Sequence, residues 1–334
     1  MRIITVLFFL LTTSEALAFT TSSTTDKITL LDGVVSRNAT DNRTYTSTNT
    51  WTKPLWATVV WIWCVGGGGG GGSGRMGASA SSGGGAGGGA GTVSTLWMMA
   101  SQLDPTVPVT IGLGGDGGVS QTTGTSNGIA GSAGNSSTFG SWITAPGGGG
   151  GGAGATGTST IGPATIGRPY SGMSGGAGSN ATGSIALNAG LTSSCNKLND
   201  SFLEGYSPGS GGGGGGGATN DGRAGNSGIL GCGSNGCPSS NPTCGAAGAA
   251  RTSLGAGNPG TSGASYTGGR KLGGGGGGGG GSPSGASPGY IGGAGGAGGQ
   301  PGGGGGGGGG GFNTFSSSGA GGKGGDGICY VTSY

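Results

Sequence analysis

The chain has 334 residues, of which 99 are glycine, 7% are charged and 31% are hydrophobic; 13 Lys+Arg against 10 Asp+Glu leave a net charge of +3, and there is no histidine. So few apolar residues cannot fill one large side-chain core, and a near-even charge balance without a basic stripe excludes a nucleic-acid footprint. The missing histidine removes the commonest general base and metal ligand, and the dispersed carboxylates form no pair, so no enzymatic activity, catalytic residue, metal or cofactor is expected. Collagen is excluded as well, because it needs glycine at every third position with abundant proline, whereas here glycine is consecutive and Pro numbers 13.

Residues 1–18 read MRIITVLFFLLTTSEALA. A basic Arg2, a short apolar stretch and the small-residue pattern Ala16-Leu17-Ala18 predict a signal-peptide-like leader cleaved near Ala18. The apolar stretch is too short for a membrane span, and none is expected elsewhere. Residues 19–49 form a polar lead-in with short apolar pieces, able to hold one or two edge strands.

Beyond Trp51-Thr52-Lys53-Pro54, the β-branched and aromatic segment LWATVVWIWCV predicts a strand near 55–65, expected to be buried on both faces. Further strands are expected near 92–99, 106–113, 138–145 and 327–333. Apolar residues never recur at helical spacing, so no helix is expected after the leader.

Glycine runs at 66–72, 147–152, 211–217, 273–281 and 302–311 separate these elements. Within the glycine-rich stretches the interrupting residues keep a period of three: Leu113, Asp116, Val119; Ala294, Ala297, Gln300; Ala320, Lys323, Asp326. Three residues per turn is the period of the polyproline II helix, which polyglycine adopts as form II; a nine-residue run would span about 28 Å. Such a register places the interrupting side chains along one edge and leaves two bare glycine edges for close lateral packing through N–H and Cα–H donors. The expected fold class is therefore all-β with packed polyglycine II helices. A small β domain is continued by a stack of glycine-rich elements within residues 50–334, the elements at 146–325 carrying inserts at 153–210, 218–272, 282–301 and 312–320.

The six cysteines suit an oxidising compartment. Cys195, Cys232, Cys237 and Cys244 are candidates for disulfides stapling one loop, with connectivity open. Cys64 and Cys329 fall in strand-like segments, as buried thiols or one cross-strand pair. Sequons at Asn38, Asn42, Asn135, Asn180 and Asn199 are of the kind that chance supplies in a chain rich in Asn, Ser and Thr.

Four signatures in order resemble the glycine-rich domain of bacteriophage tail fibre and adhesin proteins. They are NTWTKP at 49–54 leading into a strand and the 66–72 run, VPVTIGLGGDGG at 107–118, STFGS at 137–141 followed by Ala145-Pro146 and glycines, and GGKGGDGICYVTSY at 321–334. The resemblance covers residues 50–334. It implies a virion tail-fibre domain that presents variable loops to a host cell-surface receptor, a protein or polysaccharide, with other fibre subunits as further partners. Receptor-binding candidates are the insert aromatics Tyr170, Phe202, Tyr206, Tyr266, Tyr290 and Phe312, stiff amphipathic anchors among Ser, Gly and Asn. The alternative is a secreted structural protein of a cell surface or matrix with no specific receptor, for which the leader and cysteines speak.

Overall fold

The computed structural model describes residues 28–31, 34–37, 40–77, 82–156, 211–216, 256–265, 277, 279–281, 291–312 and 317–334. The chain divides into two units, one ending at Ala39 and the other spanning Thr40 to Tyr334. In the first, β1 (Ile28–Leu31) and β2 (Val34–Arg37) pair antiparallel, Ile28 opposite Arg37.

The second unit begins with β3 (Asp41–Tyr45) and β4 (Asn49–Thr52), followed by β5 (Val59–Val65), β6 (Met76–Gly77), β7 (Val93–Met99) and β8 (Thr106–Thr110). Next come β9 (Ser137–Phe139), β10 (Ile143–Ala145), β11 (Gly311–Phe312) and β12 (Ile328–Ser333). The only helical element among the described residues is a single 3-10 turn at Ala100–Gln102, so the fold is all-β as composition required. Two four-stranded sheets, β3-β12-β5-β7 and β10-β9-β8-β4, pack around one apolar cluster. Alternation puts Val60, Ile62 and Cys64 of β5, Val107 and Val109 of β8, Trp51, Phe139 and Val331 into that cluster.

Several boundaries differ from those expected. The strand foreseen from 55 starts at Val59, because Pro54 opens a turn closed by Ala57 N–H to Pro54 O (3.1 Å), with Leu55 exposed. The strand foreseen over 138–145 is a hairpin, since Gly140 has φ +53 in the left-handed region. The unit reaches back to Thr40, and β3, in the lead-in, is an edge strand on β12, Tyr45 opposite Cys329. The outer face of β5 is buried only at the glycine end: Trp63 and Val65 are covered, Val59 and Trp61 partly open. Cys64 and Cys329 face each other across β5 and β12 and form a disulfide, Cα–Cα 4.1 Å. That spacing belongs to the close, non-hydrogen-bonded pairs of an antiparallel ladder.

Six of these strands run into glycine segments at one end of the sandwich: β5 leads into 66–75, 83–92 returns to β7, β8 leads into 111–119, 126–136 returns to β9, β10 leads into 146–155, and 317–327 returns to β12. Segment 66–75 lies at the centre of this bundle. Its N–H groups donate in rotation to three antiparallel neighbours. Gly69 and Gly72 donate to Gly89 and Ala86, Gly70 and Ser73 to Ser132 and Ile129, and Gly71 and Gly74 to Gly322 and Gly319, at 2.8–3.0 Å. Its carbonyls accept in the same rotation from three parallel neighbours. Gly148 and Gly151 donate to Gly67 and Gly70, Gly115 and Gly118 to Gly68 and Gly71, and Gly305 and Gly308 to Gly69 and Gly72. Every third residue thus returns to the same partner, and the segment has six neighbours.

Segment 302–311 is a second six-neighbour centre. It donates to 291–299, 211–216 and 66–75, and accepts from 83–92, 317–327 and 277–281. A backbone whose donors and acceptors are consumed this way is buried without being orphaned. Glycine is required because a Cβ on Gly66, Gly69 or Gly72 would collide with the carbonyls of Pro146, Gly149 and Gly152. In the other rows Gly67 and Gly70 meet Leu113 and Asp116, and Gly68 and Gly71 meet Gly303 and Gly306. Parts of the foreseen inserts belong to this bundle instead of looping from it: 256–265, 291–299 and 317–320 are bonded segments. Most of their side chains are exposed or half-buried, as at Thr261, Ile291, Ala294 and Ala320, whereas Ser318 is buried and accepts from Gln121 N–H.

Candidate functional site

Segment directions define two ends. The sandwich end holds the strand junctions and the Gln300-Pro301-Gly302 turn, where Gly302 donates to Asp326 O and takes φ +70. The opposite end, the apex, gathers the termini of the other segments. Arg75 donates to Gly83 O, Gly83 to Ala155 O, Gly311 to Arg75 O, Gly310 to Gly216 O and Gly216 to Gly280 O. Gly257 donates to Ile291 O, Gly281 to Asn258 O and Gly292 to Ser317 O at the same end. β6 and β11 close it as a short parallel pair, Gly311 opposite Met76 and Phe312 opposite Gly77, with Met76 also bridged to Ser126. Consequently the residues flanking 217–255, 282–290 and 313–316 all stand at the apex.

Of the receptor-binding candidates, Tyr170, Phe202, Tyr206, Tyr266 and Tyr290 lie outside the described residues. Phe312 is described, and it is buried: at 1% exposure, opposite Gly77 in the β6–β11 pair, it does not face solvent. The period-three rows behave as the register required on one segment above all, where Leu113, Asp116 and Val119 are exposed and Gly114, Gly115 and Gly118 are buried. Exposed aromatics also occur on the sandwich. Trp61 stacks on Trp97 (5.1 Å, 9°) and Trp97 on Tyr334 (5.7 Å, 16°), Trp97 being 53% exposed. The strand expected near 92–99 includes Trp97 without assigning it to a surface, and Tyr334 falls just past the strand expected near 327–333. The signal available was the alternation of VSTLWMM, which sends Trp97 and Met99 to the face opposite Leu96 and Met98.

The family model of the glycine-rich domain matches residues 43–334. The chain belongs to this family. No curated protein gives a significant match.

In this glycine-rich domain charge is sparse and mostly structural. The Asp326 carboxylate accepts from Gly114 N–H (2.8 Å) and Gln300 Nε2 (3.2 Å), so the Asp326 and Gln300 side chains tie adjoining segments together, while Lys323 Nζ lies 3.9 Å away on Asp326's own segment. Arg43 pairs with Asp41 at 2.8 Å, and that hydrogen bond, reinforced by the carboxylate's charge, raises the guanidinium pKa. Burial raises the Tyr45 phenol, with the Arg43 charge opposing and Asp41 adding. Lys53, from the TWTKP signature, donates to the carbonyls of Ala100 (3.2 Å) and Leu103 (2.6 Å), while Trp51 of the same signature is a core residue against Phe139. Among the described residues no group of three or more His, Cys, Asp or Glu is placed to hold a metal ion. No helix among them is long and apolar enough to cross a membrane. The staple candidates Cys195, Cys232, Cys237 and Cys244 lie outside the described residues.

Proposed function

We propose that the glycine-rich domain is the adhesin-like, host-receptor-binding part of a viral tail fibre, its glycine segments packed as polyglycine II and its apex presenting the binding loops. The observation that carries this reading is the position of the insert boundaries. Gly216 and Ala256 flank 217–255, Gly281 and Ile291 flank 282–290, and all four stand at the end opposite the sandwich. Loops held on a rigid frame are where recognition is usually found. The polyglycine II geometry rests on the three-residue return of the hydrogen bonds, the period of that helix. On that geometry the nine steps from 66 to 75 carry the apex about 28 Å from the sandwich. Exchanging 217–255 and 282–290 between related chains should transfer host choice; unchanged adsorption and host range would refute the receptor role.

One observation favours a second reading, a secreted structural protein. The Cys64–Cys329 disulfide needs an oxidising compartment to persist, which agrees with the leader-like residues 1–18. N-terminal sequencing of the native product separates the two: a start just after Ala18 supports secretion, and an intact Met1 in purified particles supports a virion part.

A further inference from the structure

Arg75 ends the central segment and is the next position in the row Gly66, Gly69, Gly72. The three glycines of that row are each closed off by a carbonyl of the 146–155 segment. Arg75 is the first residue of the row to carry a side chain, at the level where 146–155 ends. Its backbone is fully engaged, N–H to Gly83 O and carbonyl from Gly311 N–H, both 2.9 Å. Its guanidinium is not. Nε and Nη1 are covered from solvent and have no hydrogen-bond partner, although the residue as a whole keeps partial exposure. Both ion pairs found among the described residues, Arg43–Asp41 and Lys323–Asp326, lie elsewhere.

On the adjoining segment and at the same level stands Ser82, fully buried, with an Oγ that also lacks a partner. A guanidinium stays charged and carries donors only. Covering it without an acceptor is strongly unfavourable, and a covered hydroxyl without a partner adds to that cost. These orphan groups, one of them cationic and both carried on segments joined by the Arg75 N–H to Gly83 O bond, lack one thing: an anionic acceptor with several lone pairs. A carboxylate or phosphate group supplies it, and these are the acceptors that guanidinium geometry suits best.

We propose that Arg75 forms an oxyanion-binding site at the apex, with Ser82 of the adjoining segment as a second candidate donor, taking a carboxylate or phosphate group through the partly exposed side of Arg75. The site is independent of the receptor reading, since a structural counter-ion and an acidic group on a ligand would occupy it alike.

The test uses the full chain, ¹⁵N-labelled at arginine, titrated at constant ionic strength with inorganic phosphate, with acetate, and with chloride as control. The Arg75 Nε–H resonance, assigned by its loss in Arg75→Lys, should move saturably with phosphate, acetate or both. The responding anion identifies the chemistry. In parallel the thermal midpoint of the wild type should rise with the same anion, and Arg75→Met should lose that rise. In chloride, Arg75→Met should melt no lower than the wild type, because an apolar side chain replaces an uncompensated buried cation. An Arg75 resonance that stays in place with both oxyanions would overturn the proposal, and so would an Arg75→Met protein that keeps the full wild-type response. The titration of the wild type decides the question even where Arg75→Met fails to fold.

Discussion

A Cβ on Gly70 would overlap the carbonyl oxygen of Asp116, whereas the side chain of Asp116 itself points to solvent. The two residues face each other across neighbouring segments, so one contact is obligate glycine on one side and permissive on the other. Gly70→Ala should therefore destabilise by about 1–3 kcal/mol or more, the usual cost of overpacking a close-packed interior. Asp116→Ala should stay within about 0.5 kcal/mol, as for an exposed position without special contacts. Denaturant unfolding of the two variants checks the contrast, and equal losses would contradict it.

Lys53 caps two carbonyls of the turn that follows β7. Replacing it by Met keeps the stem and removes both charge-assisted bonds; Ala100 O keeps the N–H of Leu103, while Leu103 O loses its Lys53 donor. A loss of roughly 1–3 kcal/mol is expected, read as a lower denaturation midpoint at unchanged slope.

The Cys64–Cys329 bond joins strands 265 residues apart, enclosing nearly the whole bundle. Reduction should cost about 2–5 kcal/mol. The Cys64→Ala/Cys329→Ala double variant should show the same loss without reductant and no further loss with it. A double variant as stable as the oxidised wild type would remove the bond from the account.

Tyr45 packs partly against the core, and burial raises its pKa above the ordinary 10.0. The folded state thus holds the phenolic proton more tightly than the unfolded chain. The associated stability is complete below about pH 10 and falls as pH climbs through the raised folded value. The stability difference between wild type and Tyr45→Phe should be flat from neutral to mildly alkaline pH and shift against the wild type above that. A difference that stays flat across the alkaline range would contradict this.

How much of this was legible beforehand varied with the residue type. Val59–Val65, Val93–Met99 and Ile328–Ser333 could be read because β-branched and aromatic side chains mark strands directly. Asp41–Tyr45 gave no such mark: DNRTY is polar throughout, and it is a strand because β12 offers it an edge. The exposed row Leu113, Asp116, Val119 was visible as a period of three. Which segments neighbour one another was not, because glycine has no side chain with which to encode a partner. Pairings such as Gly69 with Gly89 and Gly305 follow from where the strands deliver each segment. The candidate site was read least well. Phe312 looked like a displayed anchor because it is an aromatic in a Ser- and Asn-bearing insert, but in β11 it is buried. The unpartnered guanidinium of Arg75 left no trace in composition or spacing.

The central claim is that glycine backbone, not side chains, forms the core of the bundle. Hydrogen exchange at individual glycine amides tests it most directly. The amides of Gly67 to Gly74 and Gly303 to Gly310 should exchange as slowly as those of β5 and β12, consistent with opening only on global unfolding. Glycine amides that exchange at unstructured-chain rates while β5 and β12 stay protected would contradict the account.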